Sequence, residues 1–482
     1  MHILRSAAIS TTLAVLAPTL LAQITPGNLL VSRVGDGSAA LSNAATARFL
    51  DEYTPAGVFV QTIALPTIAS GGNRAVTDSG TATSNGFISQ SVDGRYLLAA
   101  GYDAVVGTAG VTSSASASVN RVICRIGLDG VVDSSTALGD AYTGNNFRSV
   151  ASVDGTSFWT AGTGTAPTPG ARHVAALGAS TSTQLSSTVT NLRCINIWNG
   201  QLYCSSSSGA FLGVSTVGTG LPTTTGQTIT SITTGTGASA YDFWFADANT
   251  LYVADDRTNG NGGIQKWTWN GSAWVLAYTL APNATTGCRG LSGHVQGGVA
   301  TLFATTTSAL AEVVSVVDAG SGSPFTTLVT AATNTAFRDV QFVRTPSNLV
   351  HSGVACANNN GTPTVGTAGG QPVTGNANFA VTAGNCGANQ FAMFLLHGGP
   401  VSPIGFPVPG TPACVQIYFL PDLLLFTLAD GAGAATTPIP LPNSASLGGL
   451  LLAAQVAAFD LSLVGFDIPV GTSDALQITV GN

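Results

Sequence analysis

The sequence predicts an all-β chain in which a six-bladed β-propeller, or alternatively a seven-bladed one, is followed by a small antiparallel β-sandwich. Three observations lead to this prediction. A repeat runs through the first two thirds of the chain, Val, Thr and Ser are separated by frequent Gly, and the repeat stops near residue 346. This composition favours short strands and tight turns. Propeller blades are four-stranded units of about 40–50 residues.

Residues 1–22 have the pattern of a secretory signal peptide. Arg5 provides the positive charge, the stretch "AAISTTLAVLAPTLLA" is apolar, and Ala22 is a small residue before Gln23. A stop-transfer helix is the alternative, but no charged flank follows the apolar stretch. We therefore expect an exported protein, secreted or held in the cell envelope (periplasm, outer surface or extracellular space).

Composition and charge argue against several classes of protein. Charged residues make up 8% of the chain, the net charge is −7, and Lys266 is the single lysine. Without a basic patch we expect no nucleic-acid partner. The apolar run 447–466 is interrupted by Gln455 and Asp460, which are costly at the centre of a bilayer, so we expect no transmembrane helix in the mature chain.

The repeat unit is an opening strand, a turn and a returning strand. The turns and returning strands read "SVDGRYLLAAG" (91–101), "SVDGTSFWTAG" (152–162), "IWNGQLYCSSS" (197–207), "ADANTLYVADD" (246–256) and "VQGGVATLFATT" (295–306). One equivalent position in the opening strands is assigned to Phe87, Arg148, Arg193, Asp242, Arg289 and Arg338, at intervals of 61, 45, 49, 47 and 49 residues. Further hairpins such as "RVICRIGLDGVVDSSTAL" (121–138) complete the units. The long first interval leaves seven blades as the alternative, although the segment 107–118 within it has the composition of a loop.

The last unit begins in "NTAFRDVQFVRTPSN" (334–348) and is not finished before Pro346. At the other end of the chain, residues 28–66 hold three strand patterns without an opening strand. We therefore predict that one blade of the propeller domain, residues 24–346, is made from both ends. This closure would pair two strand edges that are otherwise exposed.

Residues 350–482 lack the repeat and form the predicted C-terminal β-sandwich domain. Their short apolar runs, such as "QFAMFLLHGG" and "CVQIYFLPDLLLFTLADGAG", are separated by Gly and Pro. Such a pattern is typical of antiparallel sandwiches.

The stretches "VSRVGDGSAALSNAATARFLDEYTPAG", "VDGRYLLAAGYDA", "LYVADDRTNGNGGIQKW" and "NTAFRDV" make residues 24–345 resemble a family of uncharacterised secreted bacterial β-propeller proteins. Residues 350–482 are similar to a C-terminal domain common on exported proteins of planctomycete-like bacteria. The resemblance implies a fold and an extracellular location. It implies no activity and no catalytic residues.

Arg148, Arg193, Asp242, Arg289 and Arg338 are the candidate ligand-binding residues, because the innermost strands of a propeller line its central channel. Guanidinium groups bind carboxylate or phosphate groups in a forked geometry, so the set predicts an anionic ligand. The alternative is structural: each arginine pairs with a neighbouring blade or with an aspartate, since buried charges need partners.

Two further candidate sites lie near residue 260. Trp267 and Trp269 share a face on a strand, so they form a carbohydrate-stacking platform if exposed and blade packing if buried. The stretch "DDRTNGNGG" (255–263) contains four oxygen donors suited to Ca²⁺, or alternatively a hydrogen-bonded turn. These donors are Asp255, Asp256, Asn259 and Asn261. No other cofactor is expected.

The seven cysteines fit an oxidising compartment. Cys194 and Cys204 would face each other across a hairpin with a three-residue loop, which predicts a disulfide. A two-residue Asn-Gly turn would instead place Ile195 opposite Cys204. Cys356 and Cys414 are the second predicted pair, and three cysteines are left without an assigned partner.

No catalytic signature is present: the chain contains neither G-x-S-x-G nor H-E-x-x-H. Whether the protein is an enzyme stays open, and a non-catalytic role is favoured. The sequence favours a secreted or envelope-associated propeller that binds an unknown extracellular ligand, glycan or envelope protein on one face, with the sandwich used for attachment or export. The alternatives are an extracellular hydrolase or lyase acting on a polymer, and a purely structural surface protein.

Overall fold

The computed structural model describes residues 23–309 and 311–482, so the predicted signal peptide lies outside it. The described chain is all-β, as predicted. Its helical elements within this range are two 3-10 turns, Val111–Ser113 and Ala445–Leu447. Nowhere in the described ranges is a helix long and apolar enough to cross a membrane.

Six four-stranded antiparallel sheets, named sheets 1 to 6, occupy residues 29–342. The strands of sheet 1, from inside to outside, are Ala336–Phe342, Leu29–Val34, Arg48–Tyr53 and Phe59–Ala64. Those of sheet 2 are Ile88–Gln90, Tyr96–Tyr102, Arg121–Gly127 and Val132–Leu138. Those of sheet 3 are Phe147–Ala151, Phe158–Gly162, Arg172–Val174 and Thr183–Gln184.

Sheets 4 to 6 repeat this order. The strands of sheet 4 are Ile195–Trp198, Gln201–Ser206, Gly213–Val217 and Ile229–Ser231. Those of sheet 5 are Ala240–Asp247, Thr250–Asp255, Gly263–Trp269 and Trp274–Leu280. Those of sheet 6 are Cys288–Gln296, Val299–Thr306, Glu312–Val317 and Phe325–Thr330. A separate two-stranded ribbon pairs Ala45–Thr46 with Asp78–Ser79.

Hydrogen bonds link the six sheets in a closed cycle. The links from sheets 1, 2 and 3 to the next sheet are Ile88 N to Asp339 Oδ2 (2.8 Å), Ser89 Oγ to Val150 O (2.6 Å) and Ile195 N to Ser149 Oγ (2.9 Å). The links from sheets 4, 5 and 6 are Ser205 Oγ to Tyr241 O, Leu291 N to Asp242 Oδ2 (3.1 Å) and Phe342 N to Ser292 Oγ (2.9 Å). The sixth link returns to sheet 1, so each sheet has two neighbours.

Sheet 1 is made from both ends of this region, as predicted for residues 28–66. Leu29–Val34 pairs with Ala336–Phe342 on one side and with Arg48–Tyr53 on the other. The segment 107–118 contains a 3-10 turn and no strand. It therefore adds no strand to the six sheets.

The C-terminal residues form a second layered unit. Its six-stranded sheet contains Asn348–Ser352, Ala475–Thr479, Leu451–Phe459, Phe391–His397 and Leu423–Leu428, with Val470–Thr472 beside Leu451–Phe459. A three-stranded sheet contains Thr364–Ala368, Ala380–Gly384 and Ala435–Pro438. A short ribbon pairs Phe406–Pro407 with Gln416–Ile417.

Alternation along the strands divides the apolar residues of the C-terminal unit between two cores. Phe394 and Val456 of the large sheet pack with Val381 of the three-stranded sheet in one core. Leu395, the next residue on the strand, lies in the other core with Tyr418 from the segment that covers the opposite face. The large sheet is therefore covered on both faces.

The C-terminal unit is hydrogen-bonded to the six-sheet region at several points. Ser347 N donates to Asp93 O (2.7 Å), and Asn443 Nδ2 donates to Ala246 O (2.5 Å). Thr345 N, in the connecting segment, donates to Oδ1 of Asn482 at the end of the chain (2.6 Å). These bonds fix the C-terminal unit against sheets 2 and 5.

The Cys356–Cys414 disulfide is confirmed: the two Cα atoms are 5.3 Å apart. The predicted Cys194–Cys204 bridge is wrong, and both cysteines are free and buried. The hairpin turns through Asn199 and Gly200, whose φ angles are 46° and 72°. This two-residue turn pairs Cys204 with Ile195, so the two cysteines are out of register.

The structure predicts a defined thiol count. Cys124, Cys194, Cys204, Cys288 and Cys386 are free and buried, and burial raises the pKa of each thiol. Native protein should therefore react with almost no Ellman's reagent, because the thiolate is the reactive form. Denatured protein should show five reactive thiols per chain without reductant and seven after the disulfide is reduced. Three equivalents before reduction would mean that Cys194 and Cys204 are bridged.

Candidate functional site

The arginines predicted to line the channel occupy one equivalent position, but Asp242 does not share it. Ser149, Asp242 and Asp339 play the same role, since each accepts a backbone N–H from the opening strand of the next sheet. We call the residue immediately before each of these acceptors the ring position, and we apply the same name to the equivalent residue in the other three sheets. It holds Gly86, Arg148, Arg193, Tyr241, Arg289 and Arg338.

The predicted placements of Asp242 and Phe87 are therefore displaced by one residue. The opening strand of sheet 5 shifts register between Ala240 and Phe243 and again between Phe245 and Asp247. Counting back from the following turn misplaces the residue in sheet 5 by one, because the second shift inserts one extra residue between Tyr241 and the turn. Tyr241 was missed for this reason.

We call Arg148, Arg193, Tyr241, Arg289 and Arg338 the arginine end. The guanidinium groups of Arg193 and Arg289 lie 4.5 Å and 5.6 Å from the centre of the Tyr241 ring. Cations at these distances from an aromatic ring are attracted to its face. Tyr241 of sheet 5 therefore contacts one arginine from each of the two sheets that flank it.

Arg148 and Arg338 are the buried members of the arginine end, with 4% and 6% of their surface exposed. Arg148 donates to Asn191 Oδ1 and Leu192 O, both at 2.6 Å, and to Ser84 Oγ at 3.1 Å. Arg338 Nη2 donates to Gly80 O at 2.6 Å. Both are thus held by neutral oxygens.

Arg193 and Arg289 are half-buried. Nε and Nη2 of Arg193 donate to the same hydroxyl oxygen, Ser207 Oγ, at 2.9 Å and 2.8 Å. Arg289 Nε lies 3.4 Å from Asp256 Oδ2. Among the described residues, Arg289 is the one member of the arginine end with a carboxylate within 4 Å.

The charges at this end of the molecule are poorly compensated. Burial and the neighbouring Arg193 lower the pKa of Arg148 to about 9. Burial lowers the pKa of Arg338 to about 10, against the attraction of Asp78 and with the repulsion of Arg289. Both shifts are due first to burial, and the like charges nearby add to them.

Two carboxyl groups and a thiol follow the arginine end, one residue further along the strands. Burial raises the pKa of Asp242 to about 7, and it raises that of Asp339 well above its ordinary range. The Asp242 carboxyl also contacts the Cys194 thiol. Because both acids are held towards their neutral forms, they compensate the arginines weakly near pH 7.

A cavity of about 500 Å³ begins at Asp242 and Cys194. The first strands of all six sheets enclose it, so it occupies the axis of the closed cycle. Its other end is formed by residues of the C-terminal unit, among them Gln371 and Asn443. The arginine end does not line this cavity.

The predicted tryptophan platform does not form as a pair. Trp267 is 2% exposed and its Nε1 donates to Gln265 Oε1 (3.0 Å). Trp269 is 39% exposed, and its ring lies 5.9 Å from that of Trp274. Trp267 therefore packs within the sheets, which was the alternative considered for it.

The four candidate Ca²⁺ ligands are engaged with other groups. Asp255 is fully buried and binds Arg257 through both oxygens, and Asp256 lies beside Arg289. Asn259 Oδ1 accepts from Asn261 Nδ2 at 3.2 Å. Within the described ranges, no group of three or more His, Cys, Asp or Glu side chains could hold a metal ion.

Comparison with solved structures finds similar chains at low sequence identity. A candidate 6-phosphogluconolactonase from Bacteroides uniformis is 9% identical, with a TM-score of 0.36, over 83% of this chain and 99% of that one. Another from Bacteroides fragilis is 11% identical, with a TM-score of 0.37, over 74% and 91%. The dihydro-heme d1 dehydrogenase NirN is 10% identical, with a TM-score of 0.33, over 98% and 78%. No protein-family model and no curated protein matches the chain.

Proposed function

We propose that the protein is a secreted or envelope-associated, non-catalytic β-propeller that binds an anionic ligand at its arginine end. In this proposal, sheets 1 to 6 are the blades of a six-bladed propeller spanning residues 24–346. The closed cycle of inter-sheet hydrogen bonds supports that arrangement.

The C-terminal unit, residues 350–482, would be a β-sandwich used for attachment or export. The packing of its three-stranded sheet against the six-stranded sheet supports a sandwich. The Cys356–Cys414 disulfide supports an oxidising compartment, because disulfides persist outside the reducing cytosol.

The observation that carries the ligand proposal is a set of four arginines of which three have no carboxylate in contact within the described ranges. Arg148, Arg193 and Arg338 have no carboxylate within 4 Å among the described residues, and burial holds nearby Asp242 and Asp339 towards their neutral forms. An anion at this position would gain charge-assisted hydrogen bonds and relieve the repulsion between the guanidinium groups.

The arginines also retain donors for such an anion. Arg193 uses two of its three nitrogens on a single hydroxyl, and Arg338 uses one nitrogen on a carbonyl. A carboxylate or phosphate group fits the remaining fork of N–H donors. The ligand class is therefore an extracellular molecule bearing a carboxylate or a phosphate.

A purely structural role is the second candidate, and Arg148 favours it. Its guanidinium group already donates to three oxygens in the segments that lead into sheets 2 and 4. If all four arginines hold neighbouring sheets together in this way, anions have no effect on the protein beyond that of ionic strength.

Arg193→Gln is expected to weaken anion binding tenfold or more without unfolding the protein. Hydrogen bonds to charged groups contribute about 1.5–3 kcal/mol, and 1.4 kcal/mol corresponds to about tenfold in affinity. The measurement is isothermal titration calorimetry with inorganic phosphate, citrate and trigalacturonate at low and high salt. Binding should weaken as ionic strength rises.

The matched control is Arg74→Gln, which removes a guanidinium group beside Asp103 (3.6 Å) on the surface. This variant should bind the three anions like the unaltered protein. If none of the anions binds saturably, or if both variants lose affinity equally, the arginine end is structural.

A further inference from the structure

The axial cavity is distinct from the arginine end. Its volume of about 500 Å³ is within the range of about 300–1,000 Å³ typical of small-molecule sites. It lies between the sheets and the C-terminal unit, and junctions of this kind are frequent ligand sites. Its lining residues come from all six sheets and from the C-terminal unit.

Aromatic rings are fixed in the cavity wall by stacking on their neighbours. The Trp198 ring stacks on Phe245 with 4.7 Å between centroids and 16° between planes. The His294 ring stacks on Phe342 at 4.5 Å, and Trp244 also lines the cavity. Large apolar surfaces are therefore held in defined orientations.

Carboxamide groups in the same wall have unused hydrogen-bonding capacity. Asn196 Oδ1 accepts from Ile197 N, Gln341 Nε2 donates to Phe342 O, and Asn443 Nδ2 donates to Ala246 O. The other amide atom of each side chain has no partner among the described residues. These three side chains thus offer one NH₂ group and two carbonyl oxygens to a ligand.

Charged groups in the lining are already engaged. Arg344 Nη2 donates to Ser91 O (2.8 Å), and both Asp242 oxygens accept backbone N–H groups. Asp247, near the hairpin end, accepts from Asn249 N (2.7 Å). Arg344 and Asp247 carry opposite charges and burial holds Asp242 towards its neutral form, so the lining has no excess charge that would select a charged ligand.

We infer that the axial cavity binds a neutral sugar unit of one or two residues. A sugar ring has an apolar C–H face that packs on an indole ring, and its hydroxyl groups both donate to and accept from carboxamides. A purely apolar ligand fits less well, because it would leave the three amide groups unpaired in a confined space. This inference is independent of the anion site proposed above.

Trp198→Ala is expected to weaken sugar binding about tenfold or more, since it removes a stacking surface from the wall. The probe is a panel of neutral oligosaccharides with α- and β-linked glucose, galactose, mannose and xylose, titrated by calorimetry. The matched control is Trp269→Ala. Both tryptophans stand before an Asn-Gly turn, but Trp269 does not line the cavity.

Gln341→Ala gives a second test that does not depend on the folding of the Trp198 variant. It should also weaken binding, whereas Arg193→Gln should leave sugar affinity unchanged. Failure of every oligosaccharide to bind saturably overturns the inference. So does an equal loss in Trp198→Ala and Trp269→Ala, whereas a loss confined to Trp269→Ala would place the sugar on the outer strands of sheet 5.

Discussion

Val31→Asp is expected to prevent stable folding, whereas Val60→Asp should change stability little. Val31 is fully buried at the centre of the strand that joins the two ends of sheet 1, opposite Val340. It packs with Phe303 of sheet 6 in the same core. An unpaired carboxylate there would cost on the order of 5 kcal/mol, comparable with the whole stability of a typical domain.

The comparison with Val60 separates the effect of burying a carboxylate from the effect of placing Asp in a strand. Val60 lies on the outer strand of the same sheet and is 44% exposed, so its replacement by Asp should stay within about 0.5 kcal/mol. Val31→Ala should be intermediate, at about 2 kcal/mol. Urea denaturation followed by tryptophan fluorescence orders the three variants. Equal midpoints for both Asp variants would show that this strand does not close the cycle.

The closure of sheet 1 could be predicted because its signals are local. Turn residues and strand patterns mark each unit, and the unit begun at Phe337 ends too early at Pro346. A repeat that starts at one end and is completed at the other follows from counting such units. The all-β class follows from the same local strand and turn patterns.

The exact positions of the site residues could not be predicted by counting along the sequence. A bulge between Phe245 and Asp247 displaces Asp242 from the ring position that Tyr241 occupies, and bulges leave no clear mark on composition. Likewise, a two-residue turn rather than a three-residue one separates Cys194 from Cys204. A shift of one residue changes which side chains face each other across two strands, and both errors are shifts of one residue.

The axial cavity could not be predicted from the sequence for a different reason. Its walls combine residues as distant as Gln90 and Asn482, and no motif connects them. Trp198 is adjacent to the turn that was analysed for its cysteines, yet its position in a cavity depends on six sheets meeting at an axis. Tertiary assembly, not local pattern, creates this site.

The single lysine of the chain joins sheets 5 and 6. Lys266 Nζ lies 2.8 Å from Asp318 Oδ2, and Tyr278 donates to Asp318 Oδ1 at 2.6 Å. Tyr252 donates to the same carboxylate. The Asp318 side chain is 1% exposed and that of Lys266 is 23% exposed, so the pair is largely removed from water.

Asp318→Asn is expected to destabilise the protein by about 3 kcal/mol near pH 7, because it leaves a largely buried ammonium group without its counter-ion. Tyr278→Phe removes one of the three donors and should cost about 1 kcal/mol. The control is Asp103→Asn, whose partner Arg74 is exposed. A surface pair of this kind contributes between about 0 and 1 kcal/mol.

The pH dependence of these variants separates charge from packing. Burial would raise the pKa of Asp318, but the hydrogen bonds from Lys266, Tyr252 and Tyr278 outweigh it and lower the pKa below its ordinary 3.8. The carboxylate therefore stabilises the fold above pH 3.8, and this contribution is lost as the pH falls through the lowered value. Burial and the bond to Asp318 raise the pKa of Tyr278 above 10, so its contribution is lost only as the pH rises beyond 10. Urea midpoints of the unaltered protein and Asp318→Asn should converge below pH 3.8, and a constant difference between them across that range would assign the effect to packing alone.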